Sequence, residues 1–265
     1  MLVLVRLAGD VTTKSRRVRA RFQQRLMDNM SDALFSAGVD HRVWSEWNRL
    51  FVETSDHEAV GALARVFGIH SISEIEHQCA AELGEIVRIG ETAYAERVRD
   101  RTFAVRARRT GEHPFGSQDV NVQLGAALNK YARVNLDHPD VTVHVEVRPD
   151  AAYLYTGAVE GPGGLPVAVE GRAVALISGG FDSAVAAWLM LKRGAALDYV
   201  LCNLAGAAYE RTVLGVVKQL ADTWSYGTRP RLHVVDFQPV VTALRDEVRP
   251  QYVQVILKRL MYRVG

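Results

Sequence analysis

The sequence predicts a multidomain chain of mixed class: two small α+β units followed by an α/β doubly wound parallel sheet. Three observations predict it. Apolar strand-like runs alternate with helical runs from residue 174 onward, a pair of glycines bends the chain between the first strand and helix of that series, and the first 158 residues mix period-four and period-two patterns. At 265 residues, 48% hydrophobic and 23% charged, the chain has room for two or three small domains.

Residues 1–55 read as strand, helix, strand. Leu2–Leu7 is a strand, and Val18, Phe22, Leu26 and Met30 recur every fourth residue as a helical stripe. Val43–Val52, rich in aromatic and β-branched residues, suits a second strand. The helix begins with Lys14, Arg16, Arg17, Arg19 and Arg21 and reaches Arg25 without an acid.

Residues 56–165 form the second unit. Asp56 can cap a helix running to Phe67, Ala80–Arg97 reads as another helix, and Ser117 is placed as N-cap of a third that runs to Tyr131. Phe103, Val105 and Ala107 alternate with Arg106 and Arg108, so that the arginines share one strand face. Val141, Val143, Val145 and Val147 alternate likewise. Arg97, Arg99, Arg101 and Arg109 add to this unit's basic character.

A net charge of +2 is unremarkable, so these clusters carry the only electrostatic signal. Two basic clusters on neighbouring small units suggest a phosphate backbone as partner; the alternative is a pair of ordinary solvated faces. Arginine suits bidentate phosphate contacts. Aromatic residues do not interleave with the arginines, so base stacking is not indicated, and shape recognition of a folded RNA fits better than sequence reading of DNA. Lys14, Arg17, Arg21, Arg106, Arg108 and Arg109 are the candidate contacts.

Residues 166–265 form the third unit, entered through a strip at Val159–Gly171 that holds four glycines and two prolines. Strands are expected at Val174–Ile177, Asp198–Asn203 and Leu232–Phe237, with helices over 183–193, 209–222, 239–248 and 251–263. Between the first strand and helix stands Ser178-Gly179-Gly180-Phe181-Asp182-Ser183. This geometry aims unpaired backbone N–H groups and a positive helix end at an anion, and the glycines allow close approach. A phosphate is the expected ligand. No Gly-Lys-Ser/Thr occurs, which excludes a Walker loop, and two adjacent glycines do not make the dinucleotide fingerprint.

Ser-Gly-Gly-x-Asp-Ser resembles the pyrophosphate loop of ATP pyrophosphatases, which split ATP between its α and β phosphates and adenylate a substrate. Phe103–Gly111, with His113, Phe115 and Ser117, resembles the core of a THUMP RNA-binding domain. Leu7-Ala8-Gly9-Asp10 with Lys14, Ser15 and Phe22 is similar to the ferredoxin-like domain that precedes it in one family. That order, covering the whole chain, is similar to the tRNA 4-thiouridine synthetases, or thiamine-biosynthesis sulfurtransferases. The resemblance implies a ferredoxin-like domain at 1–55, a THUMP domain at 56–165 and an incomplete ATP pyrophosphatase domain at 166–265.

It implies ATP and Mg²⁺ as cofactors and adenylation of uridine 8 of tRNA, with a persulfide sulfur then displacing AMP. By resemblance Ser178, Gly179, Gly180 and Ser183 cradle the pyrophosphate, and Leu176 and Ile177 contact the nucleotide. Asp182 is the essential acid, with holding Mg²⁺ or capping the helix as its two sensible roles. Leu201-Cys202 lies along the adenine, and Lys258 matches a basic residue that reaches back to ATP; without the family, Lys258 and Arg259 read as the exposed face of an amphipathic helix. The implied partners are tRNA, a cysteine desulfurase as persulfide donor and a thiamine sulfur-carrier protein.

The family continues past the Lys258 helix with further strands and a reactive cysteine, whereas this chain stops at Gly265. Either a C-terminally truncated product or a missing half supplied from elsewhere is therefore expected, with a non-catalytic tRNA-binding fragment as the alternative function. Cys202 matches neither family cysteine and reads as packing. Cys79 and Cys202 form no Cys-x-x-Cys pair, so disulfide scaffolding and a zinc site are not expected. Arg6 interrupts the opening apolar run and no long one follows, so neither a membrane span nor a secretory signal is expected and the cytoplasm is the expected location.

Overall fold

The computed structural model describes residues 1–46 and 49–265, organised as three sheets with helices packed on them. By contacts the chain divides into two compact units. One holds residues 1–4 and 73–159, the other 5–72 and 160–265.

The first sheet has the strand order 159–160, 69–75, 2–7, 49–53, 42–46. Its long helix Arg16–Ser36 buries Phe22, Leu26 and Met30 of the expected stripe and also Ala33 and Leu34, leaves Val18 half-buried, and turns its arginine-rich side to solvent. The strand expected at Val43–Val52 is instead two antiparallel strands, Arg42–Glu46 and Arg49–Glu53, paired with Trp44 stacked on Phe51 at 5.5 Å. The polar residues Ser45, Glu46 and Arg49 interrupt the apolar run there. Trp47 and Asn48, also within that expected strand, lie outside the described residues. Strand Ile69–Ile75 joins this sheet too, past the boundary expected near residue 55.

The second sheet has the order 77–79, 152–155, 141–147, 102–109, 133–134. Helices Leu83–Val98 and Ser117–Leu128 cover it, and Ile86, Tyr94, Val120, Leu124, Phe103, Val143, Val145 and Leu154 meet in one core. The third helix starts at Ser117, the residue expected to cap it, so its cap lies one residue earlier. Gly116, not Ser117, is the N-cap, and the Gly116 N–H donates to Asp119 Oδ2 at 2.7 Å. Asp56 does help start the helix Glu58–Leu63: its Oδ1 accepts the Glu58 N–H at 2.8 Å.

The third sheet is parallel, with Arg172–Leu176, Ala196–Asn203 and Leu232–Asp236 side by side. Helices Phe181–Lys192 and Ala207–Trp224 cover one face, where Ile177, Leu191, Leu197, Tyr199, Leu201, Val213 and Val217 are buried. Helices Gln238–Glu247 and Pro250–Val264 flank the other face, where Val240, Leu257, Leu260 and Met261 pack against Val200, Cys202 and Phe237. This is the doubly wound arrangement, which gathers loops at the carboxyl ends of the strands.

The first and third sheets share packing within the second compact unit. Phe67 sits 5.3 Å from both Trp188 and Trp224, and Asn29 Nδ2 donates to the Val167 carbonyl at 3.2 Å. The glycine-rich strip between them is tightly placed: the Gly68 N–H donates to the Gly163 carbonyl at 2.8 Å and the Leu165 N–H to the Lys192 carbonyl at 2.9 Å, with Leu165 and Val167 buried.

Candidate functional site

The hexapeptide Ser178–Ser183 lies where the sequence put it, between the edge strand Arg172–Leu176 and the helix Phe181–Lys192. Ser183 closes the loop. Its Oγ accepts the Ser178 N–H at 3.1 Å and lies 3.0 Å from Ser178 Oγ, so the two serines fasten the loop's ends together. No side chain caps the helix, whose N-cap is Gly180, so the first-turn amides stay available to an incoming anion. Phe181 and Asp182 are exposed, and among the described residues Asp182 makes no hydrogen bond or ion pair. Asp182 stands in the first turn, where the helix dipole favours its charge.

Leu176 and Ile177 are committed to packing on opposite faces of the sheet, Ile177 against the loop helix and Leu176 beside Leu257 and Met261. Ile177 is buried, so that only its backbone can face a ligand, whereas Leu176 is half-buried. Leu201 and Cys202 divide the two faces in the same way. Lys258 is exposed, on a helix that packs through Leu257, Leu260 and Met261; nothing in the structure joins its ammonium to the loop.

A second loop at the same level was not singled out in the sequence. Asn203 ends the middle strand, and its Oδ1 accepts the Ala205 and Gly206 N–H groups at 3.1 and 2.9 Å while its Nδ2 reaches Glu210 Oε2 at 3.3 Å. Gly206, at φ +79°, makes the turn into the helix Ala207–Trp224. From that helix Tyr209 reaches across: its hydroxyl accepts the Gly179 N–H at 3.1 Å. The signal for both was an Asn-x-x-Gly turn between a strand and a helix, parallel to the first loop.

The two basic clusters belong to different compact units. On the helix Arg16–Ser36, Arg17 and Arg21 are exposed, while Lys14 and Arg21 both lie over the Phe22 ring, 5.7 and 5.2 Å from its centre. On the strand Thr102–Arg109, Arg106, Arg108 and Arg109 are all exposed. They are not equally free: Arg106 donates to the Leu136 carbonyl and Arg109 to the Gly111 carbonyl at 2.8 Å, whereas Arg108 has no such partner among the described residues. Arg97 and Arg99, counted in this basic cluster by sequence, are held by Glu76 and Glu96.

Three family models cover the chain: a ThiI ferredoxin-like domain at residues 2–73, a THUMP domain at 80–156, and Thiamine biosynthesis protein (ThiI) at 168–265. A tRNA sulfurtransferase of Desulfurococcus amylolyticus is 38% identical over 99% of this chain and 55% of its own length. A probable tRNA sulfurtransferase of Saccharolobus islandicus is 36% identical over the whole chain and 70% of its own length. The chain belongs to the tRNA sulfurtransferase family. Among solved structures, PH1313 from Pyrococcus horikoshii Ot3 superimposes with a TM-score of 0.80 at 31% identity, covering 98% of this chain and 90% of that one. A 4-thiouridine synthetase in complex with RNA and bound ATP gives 0.81 at 27% identity, covering 99% and 69%. The chain spans just over half the length of several of the curated tRNA sulfurtransferases that it matches.

In this tRNA sulfurtransferase-family chain neither cysteine is set up as a thiolate. Burial pushes the Cys79 thiol up to about 11, with Glu85 adding to it, and burial also raises Cys202. Among the described residues no three His, Cys, Asp or Glu side chains group as a metal site, and no helix is long and apolar enough to cross a membrane. A Mg²⁺ carried by nucleotide phosphates needs only one or two protein carboxylates, and the unpartnered Asp182 at the loop suits that role.

Proposed function

We propose that the chain supplies the tRNA-binding and adenylating parts of an ATP-dependent tRNA sulfurtransferase that makes 4-thiouridine at position 8. The observation that carries this reading is the Ser178–Ser183 loop: an uncapped helix start and a glycine pair at the carboxyl edge of a parallel sheet, in one chain with two arginine clusters. Similarity to the RNA- and ATP-bound synthetase supports it.

In this reading the backbone amides from Gly179 onward hold the pyrophosphate, Ser178 and Ser183 fix the loop's width, and Asp182 positions a phosphate-bound Mg²⁺. Adenylation activates the uracil oxygen for displacement by sulfur. Lys258 is the cation offered to the leaving pyrophosphate, and Leu176, Ile177, Leu201 and Cys202 shape the nucleotide's place. Lys14, Arg17, Arg21, Arg106, Arg108 and Arg109 take the RNA backbone. A cysteine desulfurase supplies the persulfide, and a thiamine sulfur-carrier protein is a second sulfur acceptor. The three modules meet near residues 55 and 165, with strand Ile69–Ile75 returning to the first.

The test is the near-ultraviolet absorbance of 4-thiouridine in bulk tRNA from a strain lacking its own enzyme and supplied with this chain. Restored absorbance supports the full reading. A second reading, a tRNA-binding module without sulfur transfer of its own, is favoured by the two unactivated cysteines; it predicts no absorbance with tRNA binding intact.

A further inference from the structure

A cavity of about 800 Å³ opens at the amino ends of the third sheet's strands, the edge opposite the glycine loop. Arg25, Arg172, Arg229 and Arg231 line it, with Asp28 and Asp32. Arg25 stands four residues beyond Arg21, itself four beyond Arg17, so these three arginines form one stripe along the helix Arg16–Ser36. Asp32, further along the same helix, grips Arg229 with both oxygens, Nη1 at 2.9 Å and Nη2 at 2.6 Å, and accepts the Gly227 N–H at 2.7 Å. The loop 227–231 is thereby pinned beside this helix, and Arg229 and Arg231 line the same cavity as Arg25. Arg172 is partly neutralised by Asp198 at 3.1 Å, but the Arg25 guanidinium has no hydrogen-bonding partner among the described residues.

We propose that Arg25 and Arg231, at the strand-start edge of the third sheet, extend the RNA-binding surface by contacting successive phosphodiesters of the tRNA backbone. This rests on the proposed tRNA reading and adds a surface to it. The acids decide the ligand class. A compact polyphosphate would crowd several negative charges beside Asp28 and Asp32, whereas phosphodiesters spaced along a chain can meet the arginines one at a time and pass the carboxylates. Arg229 is held by Asp32 and acts as the support of the loop.

The test measures tRNA affinity against salt concentration for the full chain. The double variant Arg25→Ala with Arg231→Ala should bind about tenfold more weakly, with the slope of log K against log salt reduced by about 1.5, the value for two lost phosphate contacts. Arg25→Lys with Arg231→Lys should retain the wild-type slope. Lys218→Ala, which removes a cation paired with Asp222 on another helix, should change neither quantity. Unchanged affinity and slope in the alanine pair, with wild-type tRNA binding intact, overturns the proposal alone. An equal loss in the lysine pair overturns it as well, since packing rather than charge would be at work, and so does displacement of tRNA by stoichiometric inorganic triphosphate in the wild type but not the alanine pair. Absence of tRNA binding by the wild type instead defeats the functional reading on which it rests.

Discussion

The Gly179 N–H donates to the Tyr209 hydroxyl at 3.1 Å, joining the glycine loop to the helix that follows the neighbouring strand. A β-carbon on Gly179 would come within 3.1 Å of the tyrosine ring, so the glycine is what lets the ring lie against the loop. The tyrosine oxygen thus stands where an anionic oxygen would sit on that amide. Displacing it costs about 1 kcal/mol, the net value of one such hydrogen bond. Tyr209→Phe should therefore tighten ATP binding about fivefold in a calorimetric titration; weaker binding would mean that the hydroxyl itself holds the phosphate.

Asp182→Ala should abolish ATP-dependent adenylation of tRNA while tRNA affinity stays within a few fold. Both are read on one preparation, by release of labelled pyrophosphate and by filter binding. A large loss of tRNA affinity would contradict the separation of the two sites.

On the strand Thr102–Arg109 the three arginines should contribute unequally. Arg106 and Arg109 are tied to backbone carbonyls and Arg108 is not. The pair Arg106→Ala with Arg108→Ala should weaken tRNA binding and flatten its salt slope by about 1.5. Arg108→Ala alone should account for the larger share.

Asp32 gives a pH signature to stability. The hydrogen bonds from Arg229, and the Gly227 N–H after them, hold its carboxyl below the usual range against the opposing effect of burial. A depressed pKa stabilises the fold above the unfolded value, about 3.9, and this contribution fades as pH falls through the folded value. Asp32→Asn should thus cost about 1 kcal/mol at pH 7 and progressively less below pH 4, measured by urea unfolding across that range. A difference that persists unchanged at pH 2.5 would show that the carboxylate's charge is not responsible.

Gly164 adopts φ +74°, and a β-carbon there would run into the Lys192 carbonyl, the acceptor that ends the loop helix. Gly164→Ala should cost at least about 2 kcal/mol and lower the melting temperature. An unaffected melting temperature would mean the strip can move away from that helix.

The third unit was the most legible in sequence because each strand there is an apolar run closed by a turn and followed by a helix, as at Val174–Ile177 with Ser178–Ser183. The first unit was harder. Val43–Val52 reads as one strand by composition, yet two short strands pair there, because composition carries no direction. Ile69–Ile75 gives no sign in sequence that it rejoins a strand some sixty residues earlier. At the candidate site the glycines and serines were visible as a contiguous motif. The contact of Tyr209 with the loop was not, since it is made only through the packing of two helices on one sheet face.

Phe67, lodged between Trp188 and Trp224, belongs by sequence to the opening third of the chain and by surroundings to its last. A shortened chain ending at residue 165 would leave that ring in water along with the residues around Asn29, and one beginning at residue 166 would open a hole beside both tryptophans. The segments that look separable on paper are therefore poor places to cut, and the helix that follows the glycine loop rests on a ring contributed roughly a hundred positions upstream.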